Sequence, residues 1–353
     1  MTDALEQLFE QRVSDIFICA GRPICVRLHG EVESTSTIAP PEDILIESLN
    51  NSGDIHIAGK LSDVEKHPTG SIDGAIATNG KRFRYNFYRV LDTDTMRQTV
   101  RVSLRPLSDR IPTPEEIGLP PRILAAIDEM KQGLVLVCGK TGQGKSTTLA
   151  SLLQHRANKF KEHIITLEQP IEYILKGSES IVSQRDVGTS VNTFAAGLRA
   201  ALRQSPDTIL VGEIRDYETA AIALSASESG HLVFGTLHTS NAAQSIERFV
   251  NMFPSDEQPA VWNVLSTALK AILCQILVKG REGGRIAVRE ILMTNPSVSS
   301  YVKAVDLNGV RRAIESGFNE YGMQNWSKAA ELLYRQGLID DTERKNIIAL
   351  GEK

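Results

Sequence analysis

The sequence predicts an α/β protein: a larger domain built on a parallel sheet, preceded by a smaller α/β domain of short strands. Short apolar runs at Leu134–Cys138, His163–Leu167, Thr208–Val211 and His231–Gly235 alternate with helical periodicity, as in Phe194, Leu198, Ala201 and Leu202. That alternation marks successive βαβ units. The runs are apolar at consecutive positions rather than at every second one, as expected of strands covered on both faces. Upstream of residue 112 the texture differs, with alternating runs and turn residues around one or two helices.

Taken in order, Met1–Asp15 is acidic and amphipathic and lacks the basic start and apolar run of a secretory signal. Ser14–Ala20 and Ile24–His29 are strand-like, with the turn residues Gly21, Arg22 and Pro23 between them. Arg82–Tyr88 places Phe83, Tyr85 and Phe87 on one face and Arg82, Arg84 and Asn86 on the other. In Met96–Arg105, Val100, Val102 and Leu104 would face a core, while Arg97, Arg101 and Arg105 share the opposite face. Pro112–Pro121 has four prolines in ten residues and reads as a semi-rigid linker. The expected division is therefore 1–111 for the first domain, 112–121 for the linker and 122–294 for the parallel-sheet domain. A helical extension fills 295–353, where Ala329, Leu332, Leu333 and Leu338 fit an amphipathic helix broken at Gly337.

Composition narrows the function. A net charge of −4 and 5% aromatic residues argue against nucleic acid as the main partner. The four cysteines, Cys19, Cys25, Cys138 and Cys274, form no metal-binding spacing and read as small buried apolar residues of a reducing compartment. The apolar stretch Val264–Val278 is interrupted by Ser266, Lys270 and Gln275 and is too short to span a bilayer. A soluble, cytoplasmic protein that can dock on a membrane machine is expected.

Gly139-Lys-Thr-Gly-Gln-Gly-Lys-Ser146 fits the phosphate-loop pattern G-x-x-x-x-G-K-[ST], and it stands between an apolar strand and a helical pattern, as that pattern requires. Glycines at 139, 142 and 144 let successive backbone N–H groups line one concavity, with Thr141 and Thr147 at its edges. The following helix adds its positive N-terminal end. Lys145 would reach the β- and γ-phosphates of ATP, and the Ser146 hydroxyl would ligate Mg²⁺. Glu213 follows the strand ending at Val211 and is the expected organiser of the attacking water. Glu168 is a second acid at a strand end, and His231 and His238 bracket the strand Leu232–Leu237.

These segments resemble consecutive boxes of the ATPase superfamily that powers type IV pili and type II and type IV secretion. The phosphate loop is followed by Ile164–Glu172, Gln184–Gly188, Leu198–Arg203, Asp207–Asp216 and Gly230–Thr239, in family order and at family spacing. Ser14-Asp-Ile16, Phe83–Asn86 and the region Gly322–Ile339 extend the likeness to the PilT-like, retraction-type branch. The resemblance implies a RecA-like ATPase domain after a PAS-like N-terminal domain, assembled as a homohexamer. It also implies ATP held between the two domains, Glu168 in an acidic box, Glu213 as the Walker B glutamate and His238 in a histidine box. The N-terminal domain would contribute an arginine to the phosphates, with Arg105 first, then Arg101, then Arg89. The partner implied is an inner-membrane platform protein.

Assembly-type relatives carry a four-cysteine zinc insertion, whereas Val278–Arg285 has no cysteine, which favours the retraction side. Gln169 stands where the family has aspartate, Lys140 replaces a proline, and Phe17 replaces a histidine. These departures keep two neighbouring alternatives open, a type IVb or Dot/Icm-like secretion ATPase and a weakly active accessory pilus ATPase. A nucleic-acid translocase is the alternative of another class, resting on the small patch of Arg82, Arg84 and Arg101.

Overall fold

A computed structural model describes residues 13–28, 31–50, 71–78, 81–107 and 110–351. The acidic segment before Val13, and His29, lie outside the described residues. The chain divides into two compact units, one of residues 1–110 with 169–174, the other of 111–168 with 175–353.

The first unit contains β1 (Asp15–Cys19), β2 (Pro23–Leu28), β3 (Glu31–Ile38), α1 (Glu42–Asn50), β4 (Ser71–Thr78), β5 (Lys81–Asp92) and β6 (Arg97–Pro106). Its six-stranded sheet has the order β3-β2-β1-β6-β5-β4, with antiparallel neighbours throughout. The alternation seen in the sequence sets the faces. Phe83, Tyr85 and Phe87 of β5 pack with Val100, Val102 and Leu104 of β6 in one buried cluster that Leu45 of α1 joins. The opposite face carries the arginines: Arg84 stands directly across from Arg105, and Tyr88 across from Arg101. Arg82 at the start of β5 donates to the carbonyls of Ile171 (2.7 Å) and Glu172 (3.3 Å), which ties segment 169–174 into this unit. That return is not legible in the sequence, because carbonyl acceptors carry no residue signature.

The second unit begins in the proline-rich segment. Thr113 and Glu116 close a reciprocal capping box across it, with N–H to side-chain bonds of 2.9 and 3.3 Å. Then follow α2 (Pro121–Asp128), β7 (Gly133–Cys138), α3 (Lys145–Lys159), β8 (His163–Glu168), β9 (Ile181–Asp186), α4 (Phe194–Ala201), β10 (Thr208–Val211), α5 (Tyr217–Glu228) and β11 (Leu232–Leu237). The remainder is α6 (Ala242–Val250), α7 (Gln258–Ala268), β12 (Leu269–Lys279), β13 (Arg285–Met293), α8 (Pro296–Lys303), α9 (Leu307–Ser316), α10 (Phe318–Tyr321), α11 (Trp326–Arg335) and α12 (Asp341–Gly351).

The seven-stranded sheet has the order β13-β12-β7-β11-β10-β8-β9. Every pair is parallel except β12–β13. Strands β7, β10 and β11 are buried at every position, which requires cover on both faces. The C-terminal ends of β7, β11, β10 and β8 therefore form one rim, where parallel α/β sheets bind ligands.

Two sequence expectations need correction. The sequence reading has no place for the β12–β13 hairpin. The Val264–Val278 run crosses from α7 into β12 at Leu269 (φ −65°, ψ 126°) with no glycine or proline to punctuate it. Of the four cysteines, Cys138 and Cys274 are buried, whereas Cys19 and Cys25 are only partly so, because their strands belong to a sheet with one polar face. No described helix is long and apolar enough to cross a membrane.

Candidate active site

The phosphate loop spans the gap between β7 and α3. Gly139 (φ 146°), Gly142 (φ 78°) and Gly144 (φ 77°) all adopt backbone that L side chains disfavour. At two of them the reason is also spatial: a Cβ on Gly139 would lie 2.4 Å from the Gln275 carbonyl oxygen, and one on Gly144 would lie 2.9 Å from Gln275 Nε2. Thr141 and Gly142 are exposed at the tip, while Lys145, Ser146 and Thr147 form the half-buried first turn of α3. The Lys145 ammonium donates to the carbonyls of Gly139 (2.6 Å) and Lys140 (3.1 Å), which places its charge at the loop's mouth.

The loop is braced from below by residues without any motif. Gln275 on β12 donates through Nε2 to the Gln143 carbonyl (2.6 Å), and Leu277 N donates to Gln143 Oε1 (2.5 Å). The other end of the Gln275 amide accepts from Thr148 Oγ1 at 2.8 Å and from Arg289 Nε at 2.7 Å. A cavity of 1110 Å³ opens on this side, lined by Gly144, Thr147, Leu277, Arg285 and Leu333 among others.

On the other flank of β7 lie the strands that carry the acid and the histidine. Backbone bonds lock the end of β10: Gly212 N donates to Leu167 O (2.8 Å), its carbonyl accepts from Thr236 Oγ1 (2.5 Å), and Ile214 N donates to Thr236 O (3.1 Å). Glu213 is thereby aimed along the rim, where its carboxylate meets His238 Nε2 at 3.0 Å and the Arg215 guanidinium. Burial, followed by the nearby Lys145 ammonium, holds the His238 imidazole below the ordinary histidine range against the opposing pull of Glu213. Lys145, Glu213 and His238 thus share one neighbourhood, although 68 residues separate the first two.

His238 is accordingly neutral at pH 7, and acid protonates it only below about 6.5, the unperturbed histidine value. The acid limb of kcat against pH is expected below that value. The His238→Gln substitution should remove the limb and lower kcat by about 10-fold, the size of one hydrogen bond to a charged group. A wild-type limb at or above 6.5, or one that survives the substitution, would assign it to another group.

Glu168 ends β8, three strands from β7 and about 14 Å away at the usual strand spacing. It accepts from Thr166 Oγ1 (2.7 Å) and Gln184 Nε2 (3.1 Å). It shares the rim with Glu213 but sits farther from the phosphate loop. His231, at the opposite end of β11, faces the Ala226 carbonyl at 3.1 Å through Nδ1 and closes the end of α5, a structural role.

The model of the type II/IV secretion system protein family matches residues 4–324. The chain belongs to that family. It is 35% identical to the type IV pilus ATPase PilT of Pseudomonas aeruginosa over 340 residues, 96% of this chain and 95% of the relative. The structure matches a crystal structure of the pilus retraction motor PilT with bound ADP at a TM-score of 0.86 and 36% identity, covering 98% of this chain and 96% of that one. It matches the ATPase DotB of Legionella pneumophila at a TM-score of 0.84 and 29% identity, covering 98% and 94%. This member of the family is therefore a nucleotide-binding, ATP-hydrolysing enzyme, with a RecA-like ATPase domain after a separate N-terminal domain.

In the N-terminal unit, Arg105 is bound by Asp15 Oδ1 at 2.9 and 2.7 Å, and Arg27 approaches the other oxygen of Asp15 at 3.7 Å. Its cross-strand neighbour Arg84 has Glu172 at 3.9 Å. Two like charges facing each other across a ladder destabilise it, and these carboxylates offset that. Arg101 lies on the same face beside the Cys19 thiol, a contact that raises its pKa. Arg89 differs: by strand alternation it falls on the face of Phe83, Tyr85 and Phe87. Asp15, Gln275, Thr148 and Arg289 were given no role by the sequence reading, because each meets partners that are distant in sequence and have no recurring spacing.

Proposed function

We propose that this protein is a homohexameric motor of the retraction type, converting ATP hydrolysis into work on a type IV pilus or a related secretion system. The observation that supports it most is the meeting of Lys145, Glu213 and His238 at one rim, beside a loop that only glycine can form. The loop amides and Lys145 would hold the β- and γ-phosphates, and the cavity on the β12 side has room for the base and ribose. The positive φ of Gly139, Gly142 and Gly144 and the space a Cβ would fill suit a bound triphosphate, and the Ser146 hydroxyl in the first turn of α3 suits Mg²⁺. When bound, that ion supplies positive charge at the phosphate oxygens.

Glu213 orients the attacking water and takes its proton, with His238 and Arg215 holding the carboxylate in place. Arg105 and then Arg101, from the N-terminal domain of a neighbouring subunit, would complete the γ-phosphate clamp, and Asp15 pre-orients Arg105 for that task. Loss of the clamp on hydrolysis lets the two domains turn about the 112–121 linker, and the ring passes that motion to a platform protein of the inner membrane, where the enzyme sits peripherally on the cytoplasmic side. The likeness to PilT along nearly the whole chain favours the retraction branch. The DotB likeness over 98% of the chain supports a secretion ATPase as second reading.

Steady-state hydrolysis measured against protein concentration, with solution mass recorded alongside, tests the ring. Turnover per chain should rise as hexamers appear, and Arg105→Ala subunits should lower the rate of mixed rings more than dilution does. Turnover independent of assembly, with mixed rings showing simple dilution, would place the whole site in one chain.

A further inference from the structure

Arg289 on β13 is 2% exposed, yet its four hydrogen bonds all go to neutral acceptors. They are Gln275 Oε1 (2.7 Å), the Ile117 carbonyl (2.9 Å), the Gly118 carbonyl (3.3 Å) and Thr148 Oγ1 (3.3 Å). Among the described residues no carboxylate pairs with it. Glu290, next along β13, falls on the other face of the strand and accepts from Ala242 N at 2.7 Å. Burial alone draws the Arg289 pKa down to about 10, so the guanidinium stays charged at neutral pH. A buried charge without a counter-ion is costly, and an anion arriving from outside would offset that cost. Here the anion is at hand, because Arg289 lines the same cavity as Gly144 and Thr147 of the phosphate loop.

We propose that Arg289 is a positioning residue that couples nucleotide occupancy to the 112–121 linker. Its fork joins the first turns of α3, through Thr148, to the carbonyls of Ile117 and Gly118. The phosphates at the head of α3 supply the negative charge that none of the groups bonded to Arg289 carries. With nucleotide bound, the guanidinium is held more firmly and so are the two linker carbonyls. By reciprocity, a held linker raises nucleotide affinity. The inference rests on nucleotide binding at Lys145 and extends that site to the segment joining the domains.

Hydrogen exchange of the full chain with and without ADP tests it, because the linker amides of Glu116, Ile117, Gly118 and Leu119 are hydrogen-bonded and report on order. ADP should slow their exchange by about 10-fold in the wild type, within the usual range of coupling between sites. Arg289→Gln should bind ADP about 10-fold more weakly and lose this ADP-dependent slowing, since it lacks both charge and fork. Arg289→Lys keeps the charge but not the fork, so near-normal affinity with the slowing lost is expected. Linker exchange that responds to ADP equally in the wild type and both variants overturns the proposal, as does a wild-type linker indifferent to bound ADP. Should Arg289→Gln not fold, the Arg289→Lys result alone decides. Lys145→Ala is the control: failure of the wild type to bind ADP would fall on the phosphate site, not on Arg289.

Discussion

Lys145→Ala is expected to abolish measurable nucleotide binding while leaving the fold intact. The side chain emerges from the first turn of α3, and the carbonyls of Gly139 and Lys140 hold its ammonium at the mouth of the loop. The substitution therefore removes a pre-placed charge from a site whose ligand carries several negative charges. Charge-assisted bonds to phosphate are among the strongest a side chain makes. Losing one that is pre-organised and partly shielded should weaken binding by about 10²-fold or more. Alanine is a good helix former, so α3 should persist. Titration with ADP reads the affinity directly. The ADP-induced rise in Tm seen in the wild type should also disappear, because stabilisation by a ligand follows its occupancy. Binding retained within about 5-fold would move the phosphate site away from 139–147.

Glu213→Gln should separate binding from turnover. The carboxylate is held between His238 and Arg215. An amide of the same shape can still accept from both, so the rim keeps its form, but it cannot take a proton from water. Loss of a general base costs about 10²-fold or more in kcat. ADP and ATP affinities should stay near the wild-type values. Undiminished hydrolysis would pass the role to Glu168, which shares the rim one strand beyond. Gln169, in place of the family's aspartate, lies exposed next to Glu168. A wild type that binds ATP but turns over slowly would make Gln169→Asp the first reversion.

The chain alone determined the elements whose information is contiguous. The parallel strands show as unbroken apolar runs because both their faces are covered. The phosphate loop shows because its chemistry is confined to nine neighbouring residues, from Gly139 to Thr147. The place of Glu213 at the rim was legible because a strand end and the rim of a parallel sheet are the same place. Likewise, the two faces of β5 and β6 follow from a period of two, which put Arg101 and Arg105 together and would have shown Arg89 to belong to the other face.

The tertiary structure decided everything that depends on strand order and register. Nothing local says that β12 lies beside β7, so nothing local says that Gln275 braces Gln143 or that Arg289 reaches Ile117, 172 positions earlier. The pairing of His238 with Glu213 needs β11 next to β10, and that of Asp15 with Arg105 needs β1 next to β6. These partners have no recurring spacing, because the length of chain between two strands does not set which strands become neighbours. Packing does that, by burying apolar faces on both sides of one sheet, and the polar side chains at the rim meet as a consequence.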